Sequence, residues 1–313
     1  MALHRASSNG HLHGAAHPHE HAPKSFGFAF AFGTALNVAF VIVEAIFGFL
    51  GNSTALLADA GHNLSDVFGL LVAWGASVLS RRTPTTRYTY GLGSSSILAA
   101  LFNAMFLLTA VGAIAWEAVQ RLAHPVPVAG KTVVIVAAVG IAINGWTAWL
   151  FASGRKGDIN IRGAFLHMAA DAAVSAGVVV AGAIILLTGW DWVDPAMSLV
   201  ICIVIVWGTW SLLKDSVRMS LAAVPPNVEP DEVRSYLEQL PGVAQLHDLH
   251  IWPMSTTETA LTCHVVMPGG HPGDEFLVAA AHELQHRFSI GHATIQIETS
   301  EATQCALESD KVV

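Results

Sequence analysis

Long apolar runs alternate with short polar breaks over the first two thirds of the chain. A run of about 20 residues, rising about 1.5 Å per residue, crosses roughly 30 Å of hydrocarbon. Six runs meet that length: 26–50, 56–79, 96–118, 132–153, 163–188 and 195–213. After residue 214 charged residues become frequent and the periods shorten. Asp231–Leu240 follows the helical period after the Val224-Pro225-Pro226 linker, and Val243–Ile251 and Ala260–Met267 alternate as strands do. Asp274–Phe288 predicts a second helix and Ala293–Glu298 a third strand. An α-β-β-α-β order predicts a small α+β sandwich with its helices on one sheet face. The predicted organisation is a polar arm over 1–25, a six-helix membrane domain over 26–213, a soluble domain over 214–301 and a tail over 302–313.

Composition fits a membrane protein. The 313 residues are 53% hydrophobic and 12% charged, with a mean hydropathy of +0.53, against roughly 25% charged in soluble chains. Net charge is −8 and the basic residues are scattered, so there is no stripe to neutralise a nucleic-acid backbone. Cys202, Cys263 and Cys305 lack CxxC spacing and read as reduced thiols. The first 25 residues have neither the basic start nor the apolar core of a secretory signal.

Six spans put both termini on one side, and the basic residues say which. Arg81, Arg82 and Arg87 follow the second run, Arg155, Lys156 and Arg162 lie between the fourth and fifth, and Lys214 and Arg218 follow the sixth. The opposite side has Arg121 and Lys131. Short cytosolic loops retain Lys and Arg, so the expectation is cytosolic termini.

Ionisable residues inside such runs are expensive, about 3 kcal/mol at mid-bilayer on the gentlest scale, and are functional candidates for that reason. The second run holds Asp59, His62 and Asp66; the fifth holds His167 and Asp171. Both contain His-x-x-x-Asp, which places imidazole and carboxylate on one helical face. The second run descends from the outer surface and the fifth rises from the inner one, so both pairs fall near mid-membrane. Four N and O ligands suit tetrahedral Zn²⁺, and two carboxylates balance its charge. Imidazole also suits Cd²⁺, Co²⁺ and Ni²⁺, and disfavours Mg²⁺ and Mn²⁺. The bland alternative is that these polar residues only lock helices together, at about 0.6 kcal/mol each. Two matched pairs at equal depth favour the metal.

Other polar positions are weaker signals. Asn37 and Glu44 share a face of the first run, and Asn103 and Asn144 sit in the third and fourth; they read as interhelical hydrogen bonds or as lining of a transport path. Asp59 precedes His62 by one turn and reads as an acceptor that orients the imidazole, or as a helix-end charge. His4, His11, His13, His17, His19 and His21 make the arm a candidate disordered metal collector, or an inert polar tail. Trp190, Trp192, Trp207 and Trp210 read as interfacial anchors. His282-Glu283-Leu284-Gln285-His286 is a literal HExxH, the metalloprotease pattern. The soluble domain is too small for a protease cleft and no convincing third ligand follows, Glu301 being poorly spaced, so an enzyme is disfavoured. A non-transporting metal sensor or scaffold is the other alternative, and a sensor gains nothing from placing its best site in lipid.

The segments Leu57–Asp66, Leu166–Asp171, Tyr88–Gly91, Ile97–Asn103, His247–Trp252 and Thr294–Glu298 resemble the cation diffusion facilitator family of metal/proton antiporters over residues 26–300. The paired His-x-x-x-Asp form resembles its zinc-type branch. The resemblance implies a homodimer in the bacterial inner membrane with a ferredoxin-like cytosolic domain. It implies efflux of cytosolic Zn²⁺ in exchange for protons, with no catalytic cofactor. It also implies a regulatory or structural metal site at His247, His264, His282 and Glu298, with His250 able to substitute. Two features depart from the family. Gly91–Ser96 lacks the charge that many relatives carry there, which argues against a gating salt bridge, and the loop from Arg81 to Tyr90 has no His or acid for an accessory site.

Overall fold

The computed structural model describes residues 27–80, 82–152 and 159–300. The His-rich arm, Arg81, Arg155, Lys156 and the segment after residue 300, including Glu301 and Cys305, lie outside the described residues.

Six long helices come first: α1 Gly27–Leu50, α2 Thr54–Ser80, α3 Ser95–Ala123, α4 Gly130–Ala152, α5 Ile159–Thr188 and α6 Val193–Ser220. Each coincides with an apolar run, because a chain in hydrocarbon must satisfy its own backbone hydrogen bonds. Among the described residues, α3, α4, α5 and α6 contain stretches long and apolar enough to cross a membrane. Their outward faces carry Leu98, Phe102, Trp116, Trp149, Leu187, Ile203 and Trp207, all exposed. Apolar residues facing outward are what a lipid-embedded bundle requires.

Helix α2 touches α1, α3, α5 and α6, while α4 pairs most extensively with α5 and α3 with α6. The packed interior is built from Phe40, Leu56, Leu107, Val111, Val133, Ala137, Val178, Ile201 and Ile205. The α4–α5 seam depends on small residues: a Cβ at Gly182 would stand 2.9 Å from Val134 and 3.0 Å from Val133. Close backbone approach of this kind replaces the hydrophobic drive that lipid removes.

The soluble domain follows as α7 Pro230–Glu238, β1 Gln245–Pro253, β2 Thr259–Val266, α8 Asp274–Phe288 and β3 Ile290–Glu298. This is the expected α-β-β-α-β order. The sheet runs β1-β2-β3, antiparallel between β1 and β2 and parallel between β2 and β3, with α8 as the crossover. Val233 and Leu237 of α7, and Leu284 and Phe288 of α8, pack on Ile251, Leu261, Cys263 and Val265 to form one core. With the helices on that face, alternation leaves the other face to different residues. Burial pushes the Cys263 thiol up to about 12.

The two parts meet at the start of α3. Ser94 Oγ donates to the Met254 carbonyl at 3.1 Å, and the Thr256 N–H donates to Ser96 Oγ at 3.0 Å. A Cβ at Gly93 would stand 2.9 Å from that same carbonyl. Tyr90 and His292 add an edge-on ring contact at 5.5 Å. The Gly91–Ser96 segment thus docks on the β1–β2 turn by neutral hydrogen bonds.

Candidate metal site

On α2, Asp59, His62 and Asp66 are spaced i, i+3 and i+7; on α5, His167, Asp171 and Ser175 are spaced i, i+4 and i+8. Each set therefore occupies one helical face, and the two faces meet where α2 touches α5. His62 Nε2 lies 3.8 Å from Asp66 Oδ2 and 3.3 Å from Asp171 Oδ1. His167 Nε2 lies 3.2 Å from Asp66 Oδ2 and 3.6 Å from Asp171 Oδ2. Both imidazoles thus face both carboxylates, and the two rings stand edge-on with centroids 6.0 Å apart.

These contacts are close but poorly formed as hydrogen bonds. His62 Nδ1, Asp66 Oδ2 and Asp171 Oδ2 are buried with no hydrogen-bond partner. Unsatisfied polar atoms in a membrane interior are costly unless something else satisfies them. The atoms of His62, Asp66 and Asp171 come within 4.8 Å of one another, a spacing that can hold a metal ion. Asp171 is 2% exposed, whereas His167 is 42% and Asp66 33% exposed, so the cluster opens on one side.

Neighbouring polar residues join the helices around the cluster. Asp59 Oδ2 accepts from Ser175 Oγ at 2.8 Å, which ties α2 to α5 one turn from the ligands. Glu44 Oε2 accepts from Asn63 Nδ2 at 3.4 Å. Asn37, Asn103 and Asn144 each keep a buried polar atom without a partner.

Asp194 was not legible as a site residue, because the sixth apolar run is counted from residue 195. It is fully buried and accepts from four donors at the start of α2. Oδ1 takes Ser53 Oγ at 2.5 Å, and Oδ2 takes the Thr54 N–H at 2.6 Å, Thr54 Oγ1 at 2.9 Å and the Ala55 N–H at 3.4 Å. A carboxylate from α6 thereby caps the helix that carries His62 and Asp66, complementing its positive end. The signal available in sequence was Asp194-Pro195 at a helix start.

On the sheet face away from the helices, strand register forms a second cluster. His247 on β1 lies opposite His264 on β2, His264 opposite Gln296 on β3, and Val266 opposite Glu298. Glu298 Oε1 lies 3.0 Å from His264 Nδ1 and 3.5 Å from His247 Nε2. These three residues meet the spacing of a metal site. Asp248 Oδ2 stands 3.5 Å from His264 Nε2, and its Oδ1 lies 2.9 Å from His250 Nε2. Asp248 has a φ of 52° at an irregularity between His247 and His250, which turns its carboxylate toward the histidines. His282 stands apart from this group on α8, its ring stacked on His286 at 6.3 Å. Between them Glu283 lies 3.8 Å from Arg287, so the HExxH motif is a solvated helix face.

Two family models match the chain: the cation efflux transmembrane domain over residues 31–219 and the cation efflux protein cytoplasmic domain over residues 225–300. Similar proteins include the zinc transporter ZitB of Escherichia coli, 36% identical over 91% of this chain and 92% of its own length. The metal cation efflux system protein CzcD of Cupriavidus metallidurans is 35% identical over 93% and 92%. A cadmium, cobalt and zinc/H(+)-K(+) antiporter of Bacillus subtilis is 36% identical over 83% and 85%.

Proposed function

The chain belongs to the cation efflux family of membrane transporters, and on that premise we propose that it exports Zn²⁺ through a site made by His62, Asp66, His167 and Asp171. The observation that carries this reading is the set of four His–Asp separations, 3.8, 3.3, 3.2 and 3.6 Å. In a tetrahedron with metal–ligand distances of about 2.0–2.2 Å, the ligand–ligand edge is about 1.63 times longer, roughly 3.3–3.6 Å. The two separations to Asp171 fall in that range and the two to Asp66 lie within about 0.2 Å of it, and Asp66 Oδ2 and Asp171 Oδ2 are buried without a hydrogen-bond partner. Zn²⁺ is the substrate, with Cd²⁺, Co²⁺ and Ni²⁺ as competitors that the same donors accept.

In this reading all six long helices cross the bacterial inner membrane, with both termini and the soluble domain in the cytosol. Two chains pair through the soluble domain. Metal enters on the exposed His167 and Asp66 side and binds neutral imidazole, and protons from outside then compete for His62 and His167 and release it. His247, His264 and Glu298 bind a further ion that stabilises or regulates the dimer. The two ring nitrogens of His247, buried without a hydrogen-bond partner, support a cation there. Uptake of Zn²⁺ into inverted vesicles should collapse when the pH gradient is dissipated. Uptake that persists without a gradient would refute exchange, and tight binding with no flux would make the protein a sensor.

A further inference from the structure

Strand β1 breaks the alternation that would otherwise set its two faces. Leu246, Leu249 and Ile251 enter the core, a spacing of three and then two, because one extra residue is inserted between the first pair. His247 stands opposite His264 and His250 opposite Thr262, so Asp248 and Leu249 share the place opposite Cys263. The inserted residue is Asp248, with a φ of 52°, a conformation that Asp adopts more readily than most residues other than Gly. An unbroken strand with Leu246 inward would turn Asp248 and His250 inward too. The insertion instead puts His247, Asp248 and His250 together on the face away from the helices, where Asp248 meets both His250 and His264.

Asp248 is buried and uses both carboxyl oxygens there. Oδ1 lies 2.9 Å from His250 Nε2 and Oδ2 lies 3.5 Å from His264 Nε2. The other ring nitrogen of His264, Nδ1, lies 3.0 Å from Glu298 Oε1. His247 Nε2 approaches that same oxygen at 3.5 Å. The two nitrogens of His264 therefore face different partners, Nδ1 the ligand set and Nε2 the carboxylate of Asp248. An imidazole that gives its Nδ1 lone pair to an ion carries its hydrogen on Nε2, and a carboxylate on that hydrogen fixes the plane of the ring. His250, 51% exposed, holds the remaining oxygen from the solvent side.

We propose that Asp248 is a positioning residue of the soluble-domain metal site. It holds the His264 ring by Nε2 so that Nδ1 meets the ion beside His247 and Glu298, and His250 in turn holds Asp248. This role rests on the reading of His247, His264 and Glu298 as ion ligands; the insertion that delivers Asp248 does not. A left-handed residue in mid-strand is strained, and strain of this kind persists where it places a functional group.

The test uses the full-length chain in nanodiscs on an Asp171→Ala background, which removes a ligand of the membrane cluster and leaves the soluble domain to dominate Zn²⁺ binding. Affinity is read by competition with a chelator. Asp248→Gly accepts the same φ and should weaken Zn²⁺ binding by about 10–100-fold. Asp248→Asn keeps one acceptor oxygen and should fall between it and the parent. Metal-free thermal unfolding should be unchanged in both. Nitrogen-15 histidine NMR of the zinc-loaded parent should show His264 bound through Nδ1 with its hydrogen on Nε2. Parental affinity in Asp248→Gly, zinc on Nε2 of His264, or an affinity loss matched by a loss of metal-free stability overturns the proposal. His250→Ala that loses as much affinity as His264→Ala makes His250 a ligand and overturns it too. Parental affinity in His264→Ala overturns the metal-site reading itself and the role of Asp248 with it, whereas loss in His264→Ala without loss in Asp248→Gly strikes the role alone.

Discussion

Asp194→Ala removes the acceptor of four donors at the start of α2. Hydrogen bonds to a charged group contribute about 1.5–3 kcal/mol each, but they do not add, and the 3.4 Å contact to Ala55 is weak. Ser53 keeps a role, because its Oγ also accepts from the Leu56 N–H at 3.1 Å. The Thr54 N–H has no such recourse and would be left buried and unpaired. The expected loss is about 2–4 kcal/mol, from the lost charge-assisted bonds and a buried N–H left without an acceptor. Asp194→Asn keeps the shape and one acceptor oxygen and loses the interaction of full charge with the helix end, for about 1–2 kcal/mol. Thermal unfolding in detergent should rank wild type above Asn above Ala, and Zn²⁺ affinity should fall in the same order because α2 carries His62 and Asp66. If Ala unfolds with wild type, Asp194 does not anchor α2.

Four further outcomes follow from other parts of the molecule. His264→Ala should remove one bound Zn²⁺ per chain from the soluble domain by equilibrium dialysis, whereas His282→Ala should not, since His282 lies outside the His247–Glu298 cluster; equal loss in both would place His282 among the ligands. Gly93→Val should separate the start of α3 from the β1–β2 turn, read as lost cross-linking between Ser96→Cys and Thr256→Cys; retained cross-linking would show that the Met254 carbonyl yields. Cys263 has its folded pKa raised from 9.0 to about 12, so its stabilising contribution is whole below about pH 9 and declines as pH rises toward 12, because only the unfolded chain ionises in that window. Melting curves across that range should fall, and maleimide should label Cys263 at pH 8 only after unfolding; rapid labelling of the folded protein would contradict its burial. Glu283→Gln should leave transport unchanged, and a defect there would mean that the HExxH face does more than meet solvent.

Much of the fold was legible because lipid imposes a simple rule. Each apolar run became a helix, since backbone groups in hydrocarbon leave few choices, although α3 and α6 continue past the apolar stretch to Ala123 and Ser220. The strands and helices of the soluble domain were legible from period, and its sheet order required tertiary structure. His62, Asp66, His167 and Asp171 could be grouped because charge in an apolar run is conspicuous and a four-residue spacing fixes a face. Asp194 escaped because it lies at the edge of its run, where a carboxylate reads as a loop residue. The exclusion of His282 from the tail cluster could not be read from sequence either, because cross-strand register brings His247, His264 and Glu298 together across distances that no local period encodes. Asp59 was visible, but its bond to Ser175, on the face that also carries His167 and Asp171, needed the packing of α2 on α5.

The most direct measurement is Zn²⁺ flux into proteoliposomes containing wild type or Asp171→Ala, driven by a pH gradient at matched protein density. Removing the most buried carboxylate of the cluster should abolish flux while the protein remains folded and dimeric by size-exclusion chromatography. Flux equal to wild type would place the transport site elsewhere.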